Sequence, residues 1–179
     1  MTDPDALQVL REVEAELDTR WPETKIGPSL DRINTLMDVL GNPHQSYPVI
    51  HITGTNGKTS TARLIDALLT RIGLRVGRFT SPHLQLVTER IAIDGVPISP
   101  EKYVRTYQEI EPYIAMVDGA SDIRMTKFEV LVGMAYAAFA EAPVDLRRLL
   151  PQLPRTVGEV RSGHPARPHR GVVEPDLEQ

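Results

Sequence analysis

The chain has 179 residues, 41% of them apolar, which is enough for one α/β domain with a core and near the low side of ordinary for a globular protein. Its formal net charge of −4 gives no overall sign of a nucleic-acid partner, and the absence of cysteine excludes a disulfide framework, a thiolate metal site and a thiol nucleophile. The first residues, Met1-Thr-Asp-Pro-Asp-Ala6, are acidic and lack an apolar core, and no apolar run approaches the ~20 residues of a membrane span, so a soluble cytoplasmic protein without membrane contact is expected. Residues 5–19 carry Leu7, Leu10, Val13 and Leu17 at helical spacing, and Arg20-Trp-Pro-Glu-Thr-Lys-Ile-Gly-Pro28 breaks that helix. Ser29 can cap a second helix bearing Leu30, Ile33, Leu36, Met37 and Leu40, with Gly41 suited to its end. Arg32 on that helix reads either as part of a solvated face or as a substrate contact.

The most informative stretch follows. Val49 to Ile52 is a short β-branched run that reads as a buried strand, and it breaks into Gly54-Thr-Asn-Gly-Lys-Thr-Ser60, after which a helical pattern starts at once. A strand, a Gly-rich turn and a helix start bring backbone N–H groups and a helix N-terminus together on an anion. Gly54 and Gly57 allow close backbone approach, Lys58 supplies a point charge, and the hydroxyl of Thr59 or Ser60 can join a phosphate or its magnesium. The usual Gly-x-x-x-x-Gly-Lys-Ser/Thr spacing would place a glycine at position 52, where Ile52 stands, so the loop is a shortened relative of the standard one. A nucleotide phosphate site is the reading adopted, against an ordinary Gly-rich turn.

Leu64, Ile65, Leu68, Leu69 and Ile72 form an apolar stripe expected to face a core, and Gly73 ends that helix. Leu74 to Phe79 is then expected as a parallel strand of a βαβ unit. Its C-terminal end carries Thr80-Ser-Pro-His83, at the sheet edge where open α/β sheets bind ligands, which is what singles out Ser81 and His83. Glu89 to Ile93 reads as a strand turned by Asp94-Gly95 into Val96-Pro-Ile98. Ser99 followed by Pro100 opens a helix expected to run to about Tyr113, with Pro112 ending it. Gly119 to Arg124 reads as a loop, and Thr126-Lys-Phe-Glu129 as a capping box, which already gives Glu129 a structural task. Pro143-Val-Asp145 is where another strand should begin.

From about Leu146 the composition changes. The last 35 residues hold six arginines and five prolines and no lysine, isoleucine or aromatic residue, the proline content being about three times the usual ~5%. No strand alternation or helical stripe is visible past Leu150. Residues 1–145 therefore read as the folded part, and residues 146–179 as a tail expected to be disordered.

Taken together, Leu40-Gly-Asn-Pro43, His51-Ile-Thr-Gly-Thr-Asn-Gly-Lys-Thr59, Phe79-Thr-Ser-Pro-His-Leu84, Glu89-Arg-Ile-Ala-Ile-Asp-Gly95, Pro97-Ile-Ser99 and Lys127-Phe-Glu129 carry a family resemblance. Residues 20–145 resemble the N-terminal part of the folylpolyglutamate synthases, often bifunctional with dihydrofolate synthase, within the Mur-type ATP-dependent amide ligases. The Gly-Thr-Asn-Gly-Lys segment fits any Mur-type ligase. Thr-Ser-Pro-His and Glu-Arg-Ile point to the folate branch, and Arg20-Trp-Pro-Glu-Thr-Lys-Ile26 resembles actinobacterial members.

The resemblance implies an incomplete Mur ligase-like ATP-binding domain, a P-loop-containing parallel sheet with flanking helices. It implies ATP and Mg2+ as cofactors, folate or dihydropteroate and L-glutamate as substrates, and a monomer. The implied reaction transfers the γ-phosphoryl group to a substrate carboxylate as an acyl phosphate, from which the amine of L-glutamate displaces phosphate. Carried over by position, Gly54, Thr55, Asn56, Gly57, Lys58, Thr59 and Ser60 bind the ATP phosphates, with Lys58 stabilising the transferring group. Ser81 and Thr59 are the implied metal-side hydroxyls. Ser81, Pro82 and His83 lie on a folate-side loop, and Phe128 packs on the pterin, a core role being equally open.

After Asp145 the family's acidic, Gly-rich magnesium-binding segment has no counterpart here. The abrupt switch to Arg, Pro and Gly is the pattern that a shifted reading frame in a GC-rich gene would give. The polypeptide is accordingly read as a shortened member, with low stability, a tendency to aggregate and no activity of its own expected. A non-catalytic nucleotide- or folate-binding remnant and another Mur-type peptide ligase are the alternatives. A small P-loop kinase or GTPase is disfavoured, because no second acidic metal-binding strand follows.

Overall fold

A computed structural model describes residues 4–22, 30–142 and 157–161. Helices α1 (Pro4–Asp18) and α2 (Asp31–Val39) precede strand β1 (Ile50–Thr53) and helix α3 (Lys58–Arg71). Strand β2 (Gly77–Phe79), a 3-10 turn (Val87–Arg90) and the strands β3 (Ile91–Ile93) and β4 (Val96–Pro97) come next. Helices α4 (Pro100–Gly119) and α5 (Lys127–Glu141) and the strand β5 (Val157–Arg161) complete the order. The expected cap at Ser29 and strand start at Pro143–Asp145 lie outside the described residues, as does most of the Arg/Pro-rich segment.

The core belongs to α1, α2, α4 and α5. Leu10, Val13 and Leu17 of α1 pack against the Tyr103, Tyr107, Ile110, Ile114 and Val117 face of α4, and Leu36 of α2 and Val130, Leu131 and Met134 of α5 close the other side. Spacings of three and four residues put each set on one helix face. Gly133 lets α2 and α5 approach closely, since a Cβ there would stand 2.6 Å from the Leu36 side chain.

Local signals read from the sequence reappear as geometry. The Ser99 hydroxyl accepts from the Lys102 N–H at 3.2 Å, and the Thr126/Glu129 capping box closes with Thr126 N–H to Glu129 at 2.7 Å and Glu129 N–H to Thr126 at 3.2 Å. Asp94 and Gly95 turn β3 into β4 with φ of 52° and 79°, the pair of positive values a two-residue hairpin turn needs. Gly73 ends α3 with the paired closing bonds Leu74 N–H to Leu69 and Gly73 N–H to Thr70.

Several expectations are corrected. Pro112 lies inside α4, which runs on to Gly119. Its missing N–H costs one ladder bond, but the turns beyond it bury Ile114 and Val117 and place Asp118, whose carboxylate takes the Arg20 guanidinium at 2.9 Å and the Met125 N–H at 2.7 Å. Next, β2 does not pair with β1: it runs antiparallel to β3 (Phe79↔Ile91, Gly77↔Ile93), while β1 is parallel to β5. The strand expected from Glu89 starts only at Ile91, because the residues before it form the 3-10 turn.

Third among the larger differences, the α3 stripe is not core. Leu64, Leu68 and Ile72 are each about two-thirds exposed, and the buried residue of α3 is Asp66, paired with Arg78 of β2 at 2.8 Å. Periodicity marks an apolar face but not what covers it. In the segment expected to be largely disordered, the described residues are the strand Val157–Arg161. No helix among the described residues is long and apolar enough to cross a membrane.

The Glu129 carboxylate also meets Arg32 of α2, with Oε2 accepting from Nε at 3.2 Å and Oε1 lying 3.1 Å from Nη2. Both side chains are nearly buried. Arg32 is thus not part of a solvated face but a tie between helices. Glu129→Ala removes the cap and strands a buried guanidinium, and urea denaturation is expected to show a loss of roughly 2–4 kcal/mol. Leu68→Glu, at an exposed position, is expected to leave the denaturation midpoint within about 0.5 kcal/mol of the parent while reducing self-association measured by light scattering.

Candidate phosphate-binding site

Strand β1 delivers the chain to the turn at Gly54 (φ 139°), and Gly57 (φ 74°) starts α3 from a left-handed conformation. Those two angles are what the glycines are needed for, since L side chains rarely adopt them. Gly54 to Ser60 are all exposed, so the loop and the first turn of α3 face solvent with their amides. Lys58, the first residue of α3, turns its ammonium back onto the Gly54 carbonyl at 2.5 Å. The cation is therefore already held over the turn.

A cavity of about 700 Å³ opens beside this loop. Its walls are β1, β2, one face of α3 and one face of α5. Of the residues singled out in the sequence, Gly54, Lys58, Thr59, Ser81 and Phe128 line it together. Thr55, Asn56, Gly57 and Ser60 sit on the exposed loop and helix start, and Pro82 and His83 continue the chain from Ser81; none of these six lines the cavity. Phe128 is 40% exposed and meets Phe79 with ring centroids 5.9 Å apart, so it stands at the cavity wall and not in the core.

The cavity interior is apolar, with Ile50, Ile52, Leu69 and Phe139 among its lining, and its charged residues beyond Lys58 are Asp66 and Arg78, already paired to each other. Among the described residues no group of three or more His, Asp or Glu side chains could hold a metal ion. What the chain offers a cation at the phosphate loop is the Thr59 and Ser81 hydroxyls, both on the cavity wall. Two neutral oxygens suit a magnesium ion that keeps waters and takes its remaining ligands from phosphate.

The segment from Ser81 to Arg90 is ordered by its own side chains. Glu89 accepts the backbone N–H groups of Leu84 (3.0 Å), Gln85 (2.9 Å) and Leu86 (3.0 Å), and these bonds, that from Leu86 foremost, hold its carboxyl below the usual carboxylate range. Arg90, buried, donates from Nε to Nδ1 of His83 at 2.9 Å. Neither contact was foreseen from the sequence; an acidic residue three to five positions after a run of free amides was the available signal.

No model of a protein family matches the chain. In curated sequences it is 59% identical over 150 residues to the dihydrofolate synthase/folylpolyglutamate synthase of Mycobacterium tuberculosis, covering 80% of this chain and 31% of that protein. Its identity to the protein of the same description from Bacillus subtilis is 36% over 116 residues, covering 65% of this chain and 27% of that protein. Among solved structures, Mycobacterium tuberculosis folylpolyglutamate synthase complexed with ADP superposes with a TM-score of 0.74 at 58% identity, over 78% of this chain and 31% of the other. The Thermotoga maritima enzyme gives 0.71 at 39% identity, over 77% and 32%. The chain thus spans less than a third of the length of the curated relatives named.

Because Glu89 has a lowered carboxyl pKa in the folded chain, its contribution is present above the ordinary carboxylate range and is lost as pH falls through its folded value. Amide hydrogen exchange at Leu84, Gln85 and Leu86 is expected to lose protection as pH falls below the ordinary carboxylate range, and Glu89→Gln to lose it already at neutral pH, while the amides of α4 keep theirs. Equal loss in both places would mean global unfolding and no loop-specific role. In sequence and in fold alike, over most of its described length, the chain belongs with the folylpolyglutamate synthase/dihydrofolate synthase family.

Proposed function

We propose that this chain binds the phosphates of ATP at Gly54–Ser60 and serves the ATP-dependent addition of L-glutamate to a folate, or to dihydropteroate, in the cytoplasm. The observation that carries the reading is the exposed turn between β1 and α3, with positive φ at Gly54 and Gly57 and the Lys58 ammonium held over it. Loop amides and the α3 N-terminus present N–H donors to phosphate oxygens, and Lys58 offers the charge that a transferring phosphoryl group needs. A solved structure of a 58% identical relative is complexed with ADP, and another with ADP and AMPPCP, which supports a nucleotide as ligand.

In this reading Thr59 and Ser81 are the hydroxyls on the metal side of the phosphates. Magnesium, when bound, would neutralise phosphate charge as the acceptor carboxylate attacks. Phe128, exposed and tilted against Phe79, gives an aromatic face for a flat heterocycle, and Ser81 and Pro82 lead from it toward the phosphate side. The chemistry asks no protein nucleophile. The substrate carboxylate takes the γ-phosphoryl group, and the L-glutamate amine displaces phosphate to leave the amide.

Thermal unfolding with and without Mg-ATP tests the proposal. At a ligand concentration of roughly 100 times Kd the stabilisation is about 2.7 kcal/mol, a midpoint rise of several degrees. Lys58→Ala is expected to weaken binding roughly tenfold or more and to remove most of that rise. No rise for the parent chain would overturn the phosphate site. Glutamate-dependent ADP release with a reduced folate, read in the same preparation, separates a ligase from a nucleotide-binding segment without turnover.

A further inference from the structure

Two exposed apolar strips, on different helices, are flanked by charges of opposite sign. Leu64, Leu68 and Ile72, four residues apart along α3 and its C-cap, form the first, each about two-thirds exposed. Residues 58–75, which contain that strip, hold Lys58, Arg63, Arg71 and Arg75 and a single acid, Asp66, which is buried against Arg78. The second strip lies on the C-terminal half of α4, where Tyr113, Met116 and the C-cap Ala120 share one side and are all exposed. Residues 106–123 around it hold Glu109, Glu111, Asp118 and Asp122 and no lysine or arginine.

Pairing within the chain does not cancel this contrast. Asp118 is tied to Arg20 and Arg124, Glu109 meets Arg105 at 3.6 Å, and Arg75 meets Asp94 at 3.5 Å. Arg63, Arg71, Glu111 and Asp122 are exposed and form no salt bridge among the described residues. Helix α3 packs on β1 and β2, whereas α4 packs on α1, α2 and α5, so the strips are presented from different parts of the chain. Leucine and isoleucine side chains left in water are area that a partner can cover, and the cations beside them select an acidic partner surface. A second α3 would bring arginine against arginine. The α4 strip brings acids against them.

We infer that the α3 strip is a docking surface for a second copy of this chain, which presents its α4 strip. The contact joins two unlike surfaces, so a pair of copies still carries one unused strip of each kind and can grow by adding further copies. Each strip is only a few side chains long, which makes the contact a weak one that forms at high protein concentration.

The test is sedimentation velocity of the full chain over a dilution series reaching about 1 mM, alongside Leu68→Glu and Met116→Glu. The parent is expected to self-associate and each variant to do so roughly tenfold more weakly, with melting midpoints like the parent's because both positions are exposed. Leu68→Glu keeps a working α4 strip, and Met116→Glu keeps a working α3 strip. An equimolar mixture of the two is therefore expected to form one-to-one dimers that grow no further, and added salt is expected to weaken them. A parent that stays monomeric throughout overturns the inference. So does a Met116→Glu chain that associates like the parent, since α3 would then be covered by something other than α4, and so does a mixture that stays monomeric. Association insensitive to salt overturns the choice of the acidic strip as the complement. Leu68→Gln and Met116→Gln repeat the comparison should either glutamate variant fail to fold.

Discussion

One carboxylate joins most of what lies behind the candidate site. Glu129 closes the capping box that starts α5 and at the same time binds the Arg32 guanidinium of α2. The two residues are 97 positions apart in sequence. Phe128 immediately precedes Glu129, so the same cap that begins the helix fixes where the aromatic ring meets Phe79 and the cavity. A buried ion pair adds little net free energy compared with apolar packing, but breaking it leaves a charge without its partner. Its role here is to specify one arrangement of α2 and α5.

The remaining polar ties follow the same pattern. Arg20, just beyond α1, donates from Nη1 to Asp118 and to the Met125 carbonyl, which ties α1 to the connection between α4 and α5, while its buried Nε has no hydrogen-bond partner among the described residues. Asp66 of α3 and Arg78 of β2 form another nearly buried pair on the far side of the cavity. The helical core of α1, α2, α4 and α5 thus has polar links to its connections, while α3, which follows the Gly54–Gly57 turn, is tied to β2 by Asp66 and Arg78.

What could be read in the sequence was mainly local. The turn at Gly54-Thr-Asn-Gly57, the caps at Ser99 and Thr126 and the Asp94-Gly95 hairpin each depend on a few consecutive residues whose chemistry permits one solution. What could not be read was pairing across distance. Nothing near Leu74–Phe79 says that this strand meets β3 instead of β1, and no window containing Arg32 reveals Glu129. Pro112 misled because its local cost is real and was outweighed by the packing of Ile114 and Val117 and the bonds to Asp118. In the site, the Gly-rich turn between β1 and α3 was legible from residue type and order. The grip of Arg90 on His83 depends on how the intervening residues fold back.

The sparse burial of α3 has a consequence for how energy is distributed through the molecule. A helix whose buried residue is a charged Asp66, and whose Leu64, Leu68 and Ile72 stay wet, gains little from docking and can open without taking the core with it. The phosphate loop is the leading edge of that unit. A ligand gripping Gly54–Ser60 would therefore spend part of its affinity on ordering α3, and that ordering would reach β2 through Arg78. Anion capture at one end and strand placement at the other would then be two readouts of a single local closing equilibrium.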